Sequence, residues 1–356
     1  ESAVDQALAW LARSQANDGR WSAARYGAGH EQVILGHDRF GAGVRADTGV
    51  TGLALLAFLG AGHTHQQGNY RDTVARGLEF LMAQQGRDGN LAGPATLYAR
   101  TYCHAMALFA LAETYAMTRD EQLKRPVRDA VRFSIVAQNP STGGWRYRPG
   151  DIGDTSQLGW QVMALRSAEL GDVPIPAETW QGVTRFLSHV SSGRHGGLAG
   201  YQPGSRPSRT MTAEAAYCRQ LARARVDPAR IHDIDAERTD REAAAYLLTE
   251  LPGEGRTNLY YWYYASLFLH GRTARGCAAD RGEWIRWNDA LKSSLLAQQN
   301  RQSGPFAGSW APDTVWGGYG GRVYSTAIAA LCLEVYYRYA GAEELVASAP
   351  HGYLQR

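Results

Sequence analysis

Lysine is nearly missing from this chain. Lys124 and Lys292 are the only two, and arginine supplies the rest of 37 basic residues. With 34 acidic residues the formal charge is +3 over 356 residues, and no basic run occurs. A nucleic-acid surface is therefore not expected. The four cysteines, Cys103, Cys218, Cys277 and Cys332, are scattered with no CxxC pair. That spacing predicts no disulfide framework, no metal site and no cofactor, and it reads Cys103, Cys218 and Cys332 as buried thiols. No apolar stretch approaches the roughly 20 residues a membrane span needs; Val50 to Leu59 falls far short. Alternating Val, Ile and Thr runs are absent, which argues against a sheet. The first residue is Glu1, so the sequence alone leaves a cytoplasmic protein and one exported after loss of a signal segment both open.

What is abundant is glycine, with 40 residues, and tryptophan, with ten. Both recur in a repeated signature. Trp10, Leu11 and Gln15 precede Gly19 and Trp21. Phe80, Leu81 and Gln85 precede Gly89. Phe133 and Gln138 precede Gly143 and Trp145. Leu295 and Gln299 precede Gly308 and Trp310. Residues 185–201 keep only the Arg185-Phe186-Leu187 start and the Gly196-Gly197 end, and residues 239–257 hardly match. Self-similarity of this kind fixes architecture before any single residue is interpreted.

Between the repeats two helix classes alternate. Amphipathic segments occupy 4–15, 72–85, 126–138, 177–190, 239–250 and 284–299, each with one polar face. Almost wholly apolar segments occupy 47–61, 101–116, 155–170, 211–223, 258–270 and 323–339. A helix apolar all round must be covered on all sides. Six covered helices and six half-polar ones predict an all-α fold, an α6/α6 toroid formed by residues 1–356 as one domain. The connections at 22–45, 193–209, 224–238, 271–283 and 301–321 are long enough to suggest function.

The repeat resembles the QW motif of squalene–hopene cyclases and oxidosqualene cyclases, whose toroid is shared by protein prenyltransferase β-subunits and complement-type thioester domains. Residues 10–21 match well. In the third copy Ser134 replaces the leucine, and in the second Leu91 replaces the tryptophan. The resemblance implies that the glutamine and tryptophan tie neighbouring outer helices together, and that the ligand is an isoprenoid or similar hydrophobic molecule. Asp151-Ile-Gly153-Asp154-Thr-Ser156 looks like the DxDDTA motif of class II terpene cyclases, with Gly153 where the proton-donating aspartate stands. No Asp-x-Cys zinc pair and no thioester motif is present, and His63-Thr-His65 is a lone pair in a turn.

From the residues themselves, Asp47 and Asp154 read as N-caps of apolar helices. Aligning the apolar helices gathers Asp47, His104, Asp154, Glu214 and Tyr324 at one mouth, where helix N-termini favour an anionic group. The candidate catalytic residues are Asp154, Asp151, His104 and Glu214. The candidate ligand-binding residues are Asp47, Tyr261, Tyr264, Trp316 and Tyr324, within aromatic stretches that also include Tyr336 and Tyr337. The Gly317–Gly321 stretch reads as a flexible loop over that mouth. The leading expectation is a divergent terpene cyclase-like toroid with a small hydrophobic ligand, and the sequence leaves a second toroid or a partner subunit open. The alternatives are a non-catalytic binding toroid and a carbohydrate-active (α/α)6 enzyme using Asp154 with Glu214, or a Tyr/His/Arg set.

Overall fold

A computed structural model describes residues 2–31, 33–34, 37–226, 234–274 and 276–335. Tyr336, Tyr337 and the end of the last apolar segment lie outside the described residues. The amphipathic segments form outer helices α1 (Ser2–Ser14), α3 (Arg71–Ala83), α5 (Glu121–Ala137), α7 (Ala177–Val190), α9 (Ile234–Leu247) and α11 (Ala278–Gln298). The apolar segments form inner helices α2 (Asp47–Gly60), α4 (Leu97–Thr118), α6 (Thr155–Leu170), α8 (Arg209–Val226), α10 (Leu259–Thr273) and α12 (Gly317–Leu333). Each inner helix packs on the next, and α12 packs on α2, so the ring closes as an α6/α6 toroid. Among the described residues the only strands are two-residue pairs, Val33–Ile34 with His37–Asp38 and Ser191–Ser192 with Leu198–Ala199.

Amphipathicity sorts the layers. In α3 the side chains of Val74, Leu78 and Leu81 are buried, whereas Arg71, Asp72 and Glu79 are exposed. In α2 every residue from Thr48 to Leu59 is buried. Neighbouring inner helices run parallel. Tyr102 meets Ser156 near the start of α4 and α6, and Glu113 meets Ser167 toward their ends. The inner N-termini therefore gather at one end of the ring, together with the connections from each outer helix.

The repeat supplies the fastening. Gln15 Nε2 donates to the Gly19 carbonyl at 2.8 Å and to Thr73, in the first turn of α3, at 2.9 Å. Gln85 makes the same bridge to Pro126 of α5 at 2.8 Å, and Gln138 to Thr179 of α7 at 3.0 Å. Gln299 reaches Ala3 of α1 at 2.8 Å and so joins the last outer helix to the first. The tryptophans satisfy their own helix ends: the indole N–H groups of Trp21, Trp145 and Trp310 donate to Leu11, Ser134 and Leu295. Each of these carbonyls lies four residues before the glutamine, in the last turn of its helix, where backbone partners run out; that of Leu295 also accepts the Gln299 N–H. Where the motif decays, other groups serve. Glu242 of α9 accepts the backbone N–H groups of Arg194, His195 and Gly197, and Tyr261 donates to Leu247 at 2.8 Å.

Several boundaries differ from the sequence reading. Helix α5 starts five residues earlier, with Pro126 inside it, because Asp120 caps it by accepting from Gln122. Gly317–Gly320 is a helical turn rather than a flexible loop; Gly317, Gly320 and Gly321 are buried, and the chain kinks at Gly321.

The repeat glycine must be glycine for two reasons. Gly143 has φ +81°, and a Cβ there would overlap the Gly182 carbonyl of α7. Gly204 has a similar φ of +78° but faces open space. Gly204→Ala should cost about 1 kcal/mol, the price of a left-handed backbone alone. Gly143→Ala should cost at least about 2 kcal/mol more, because two backbones must separate. Equal losses in urea melts would contradict a tight inter-helix clamp.

Candidate functional site

Asp154 sits at the gathered N-termini with its side chain fully buried. It is the N-cap of α6: Oδ1 accepts the Gln157 N–H at 2.9 Å and the Ser156 hydroxyl at 2.8 Å. Oδ2 accepts the Tyr201 hydroxyl at 2.9 Å and lies 3.2 Å from Arg146 Nε. Ser156 has one proton and gives it to Asp154, so Tyr102, 2.6 Å away, donates to Ser156. By the same count Tyr147 donates to Tyr201 at 3.0 Å. Two hydroxyl chains thus end on one carboxyl, and the Tyr147–Tyr201 chain leads out to half-buried residues. Burial raises the Asp154 pKa to about 6, although Ser156, Tyr201, Gln157 and Arg146 all pull it down. Desolvation outweighs capping here.

Above this carboxyl stands an aromatic mouth. The Arg146 guanidinium lies 4.9 Å from the Tyr147 ring centroid and 5.7 Å from that of Tyr201. Tyr98 meets Tyr147 edge to face, and Phe40 stacks on Tyr98. Arg39 covers both Tyr98 and Tyr147, at 5.1 and 5.7 Å. Arg100, Arg146 and Arg148 line a narrow slot beside Tyr147 of about 10 Å³, room for about one water.

The other residues singled out in the sequence are distributed as follows. Glu214 is fully buried on α8, accepting the Gly159 N–H and the Tyr260 hydroxyl, each at 3.0 Å. Burial pushes its pKa well up. The Tyr260 hydroxyl, with one proton, lies between Glu214 and the Ser156 carbonyl at 3.0 and 2.9 Å, and so links Glu214 to the start of α6. His104 faces the outer layer: its Nδ1 accepts the Leu91 N–H at 3.1 Å, so Nε2–H donates to Ser134 Oγ at 2.9 Å. Ser134, the residue that departs from the repeat, is thereby the partner of His104. Asp151 closes the 148–151 turn by accepting the Arg148 N–H. Asp47 is not a cap, since the N-cap position of α2 falls on Ala46; it instead accepts the Ala23 N–H at 2.8 Å and pairs with Arg20. Tyr261 points to α9 and packs on Trp287. Tyr264 and Tyr324 are buried with hydroxyls that have no partner. Trp316, half-buried at φ +69°, lies edge-on to Tyr319. His65 is paired with Asp120 at 2.8 Å.

Gly153 has φ +94°, and a Cβ there would strike Gly144 and Phe186. The aspartate of a DxDDTA motif cannot occupy that position in this backbone. Across the ring, Trp160 of α6 reaches Tyr260, Tyr263 and Tyr264 of α10 with centroids 5.8–6.1 Å apart, so rings fill the space between these helices. Two wider clefts, of about 480 and 430 Å³, lie on the outside, along α5 and between α1 and α11.

Comparison with family models and with curated proteins gives no match. Solved structures do match. The cellobiose 2-epimerase of Bacillus thermoamylovorans superposes with a TM-score of 0.65 at 10% identity, over 93% of this chain and 96% of that one. An α-1,6-mannanase of glycoside hydrolase family 76 from a Salegentibacter species gives 0.61 at 9%, over 94% and 98%. A family 76 mannosidase from Bacteroides thetaiotaomicron gives 0.56 at 11%, over 97% and 100%. At these identities the likeness establishes the toroid. By their names these three neighbours are enzymes of sugars, and none is a terpenoid cyclase.

Sequence reading missed Arg146, Tyr147 and Tyr201. Their signal was available: Tyr147 and Tyr201 each lie two residues beyond the tryptophan position of a repeat, occupied by Trp145 and Ala199.

Two of the buried titrating groups, Asp154 and His104, act on stability with opposite signs. Folded Asp154 holds its proton to about pH 6, whereas the unfolded chain releases it near 3.8. Its stabilising contribution is full below 3.8 and is lost as pH rises through 6. Burial lowers the His104 pKa to about 3 from 6.5, so its contribution is full above 6.5 and is lost as pH falls toward 3. At about 1.4 kcal/mol per pH unit these are effects of about 3 and about 5 kcal/mol. Relative to wild type, Asp154→Asn should gain about 3 kcal/mol between pH 4 and 7. His104→Gln should flatten the acid limb in the same urea titration. A pH-independent offset for either variant would contradict the assignment.

Proposed function

We propose that this protein is a carbohydrate-active toroid that takes a saccharide at the mouth formed by Tyr98, Tyr147, Tyr201 and Arg146, and transfers protons there. The observation that carries this reading is the hydroxyl chain from Tyr147 through Tyr201 to the buried Asp154. Aromatic faces suit the apolar C–H faces of a pyranose, and the hydroxyl tips and guanidinium supply hydrogen bonds. The neighbours, two hydrolases and an epimerase, are enzymes of sugars.

Asp154 titrates near 6 and is therefore matched to work around neutral pH. In one direction Asp154 gives its proton to Tyr201 while Tyr201 passes its own to Tyr147, which delivers a proton to the sugar. The reverse sequence takes a proton from the sugar and stores it on Asp154. A reversible relay of this kind fits removal and return of a carbon-bound proton, as in epimerisation or elimination. Paired-carboxylate hydrolysis is supported less, because it needs two carboxyl groups flanking an open cleft. Here Glu214 is enclosed between α6, α8 and α10.

The test is a saccharide array followed by incubation of bound sugars in D2O, read by NMR for deuterium at a ring carbon. Incorporation should rise as pH increases through 6. Tyr201→Phe should slow it at least about 100-fold, the usual worth of a positioned acid–base group, with binding nearly unchanged. Binding with no incorporation in the wild type would support a non-catalytic toroid. Binding of no saccharide at all would overturn the proposal.

A further inference from the structure

The charges around the mouth do not balance. Among the described residues, Arg20 pairs with Asp18 and Asp47, Arg256 with Glu31, and Arg146 with Asp154. Asp38 and Asp151 each accept a backbone N–H, from Phe40 and from Arg148. Among the described residues, no carboxylate lies within ion-pair distance of the Arg39, Arg100 or Arg148 side chains. The inner-helix N-termini add partial positive charge at the same end.

Arg39 differs from an ordinary surface arginine. It is partly buried, its guanidinium is held over two rings, Tyr98 and Tyr147, and among the described residues no hydrogen bond uses its side-chain N–H groups. A guanidinium fork with no acceptor among the described residues matches the two oxygens of a carboxylate. Beside it, Phe40 is 74% exposed and adopts φ +51°. A bulky residue in the left-handed region is costly, as is a large apolar ring left in water. Its backbone is held there by the 2.7 Å bond from its N–H to Asp38 Oδ1, with one face of the ring stacked on Tyr98. An unsatisfied, immobilised cation and an open aromatic platform therefore stand side by side above the Tyr147–Tyr201 relay.

We propose that the saccharide taken at this mouth is acidic: a uronate whose carboxylate is received by the edge of Arg39 and whose ring packs on Phe40. This rests on the saccharide reading above and names its substrate class. It assigns Arg39 and Phe40, which the repeat does not mark, as specificity-determining residues. A neutral sugar leaves Arg39 unpaired, and an acidic one completes it.

Titration calorimetry with tetragalacturonate and its carboxyl-reduced neutral counterpart tests this in 50 and 300 mM salt. Wild type should prefer the acid at least tenfold in low salt, and less in high salt. Arg39→Gln should lose that preference while keeping its affinity for the neutral sugar, and Phe40→Ala should weaken both. Arg125→Gln, which removes the same charge from the far surface of α5, should change neither. Equal binding of the two sugars by wild type, or a preference that survives Arg39→Gln, overturns the acidic assignment and leaves the saccharide reading standing. Binding of neither sugar overturns the acidic assignment, and the saccharide array decides the wider reading.

Discussion

The architecture depends on one recurrent contact: a glutamine amide that bridges the end of one outer helix to the first turns of the next. Gln15, Gln85, Gln138 and Gln299 each donate twice, to their own glycine turn and to a neighbour's carbonyl. The glycine permits it, because only a residue without Cβ lets the turn lie against the next backbone. Gln299 makes the bridge from α11 back to α1, so the same local chemistry that spaces the outer helices also closes the circle. Closure brings parallel inner helices into one ring with their N-termini together. Everything assigned to the mouth follows from that placement.

The departures from the repeat are as informative as the matches. His104 occupies the place where a threonine, Thr51 or Thr326, accepts the corresponding backbone N–H in other copies, and Ser134 changes with it. In the decayed copy at 185–201 the clamp runs backwards, with Glu242 gripping the loop. These substitutions preserve the fastening by other means, so a decayed motif is not a sign of lost structure. Tyr147 and Tyr201, which follow the third copy and the decayed copy at 185–201, then meet each other at the rim.

The toroid was legible in the sequence because amphipathic and wholly apolar helices have different solvation needs, and a regular alternation admits few closed solutions. Asp154 was legible as a cap. Its titration was not, because capping lowers a carboxyl pKa while burial raises it, and only the surroundings decide which prevails. The mouth was only partly legible: the helix starts converge as expected, but His104 turns outward and Tyr261 is bound to α9. Arg39 and Phe40 could not be found from periodicity, since they lie in an irregular connection whose path is set by tertiary contacts. The isoprenoid expectation followed from the QW resemblance, and that motif fastens helices. It carries no information about what the ring holds. Gly153 and the rings between α6 and α10 leave a polar, tyrosine-rich rim as the site with chemistry to offer.

The most direct test of this account is a crystal structure of the protein soaked with an acidic oligosaccharide. The account predicts sugar density at the inner-helix N-termini, in contact with Phe40, Tyr98 and Tyr147, with a carboxylate on Arg39. Density confined to the opposite end of the ring, or to the outer cleft along α5, would contradict it.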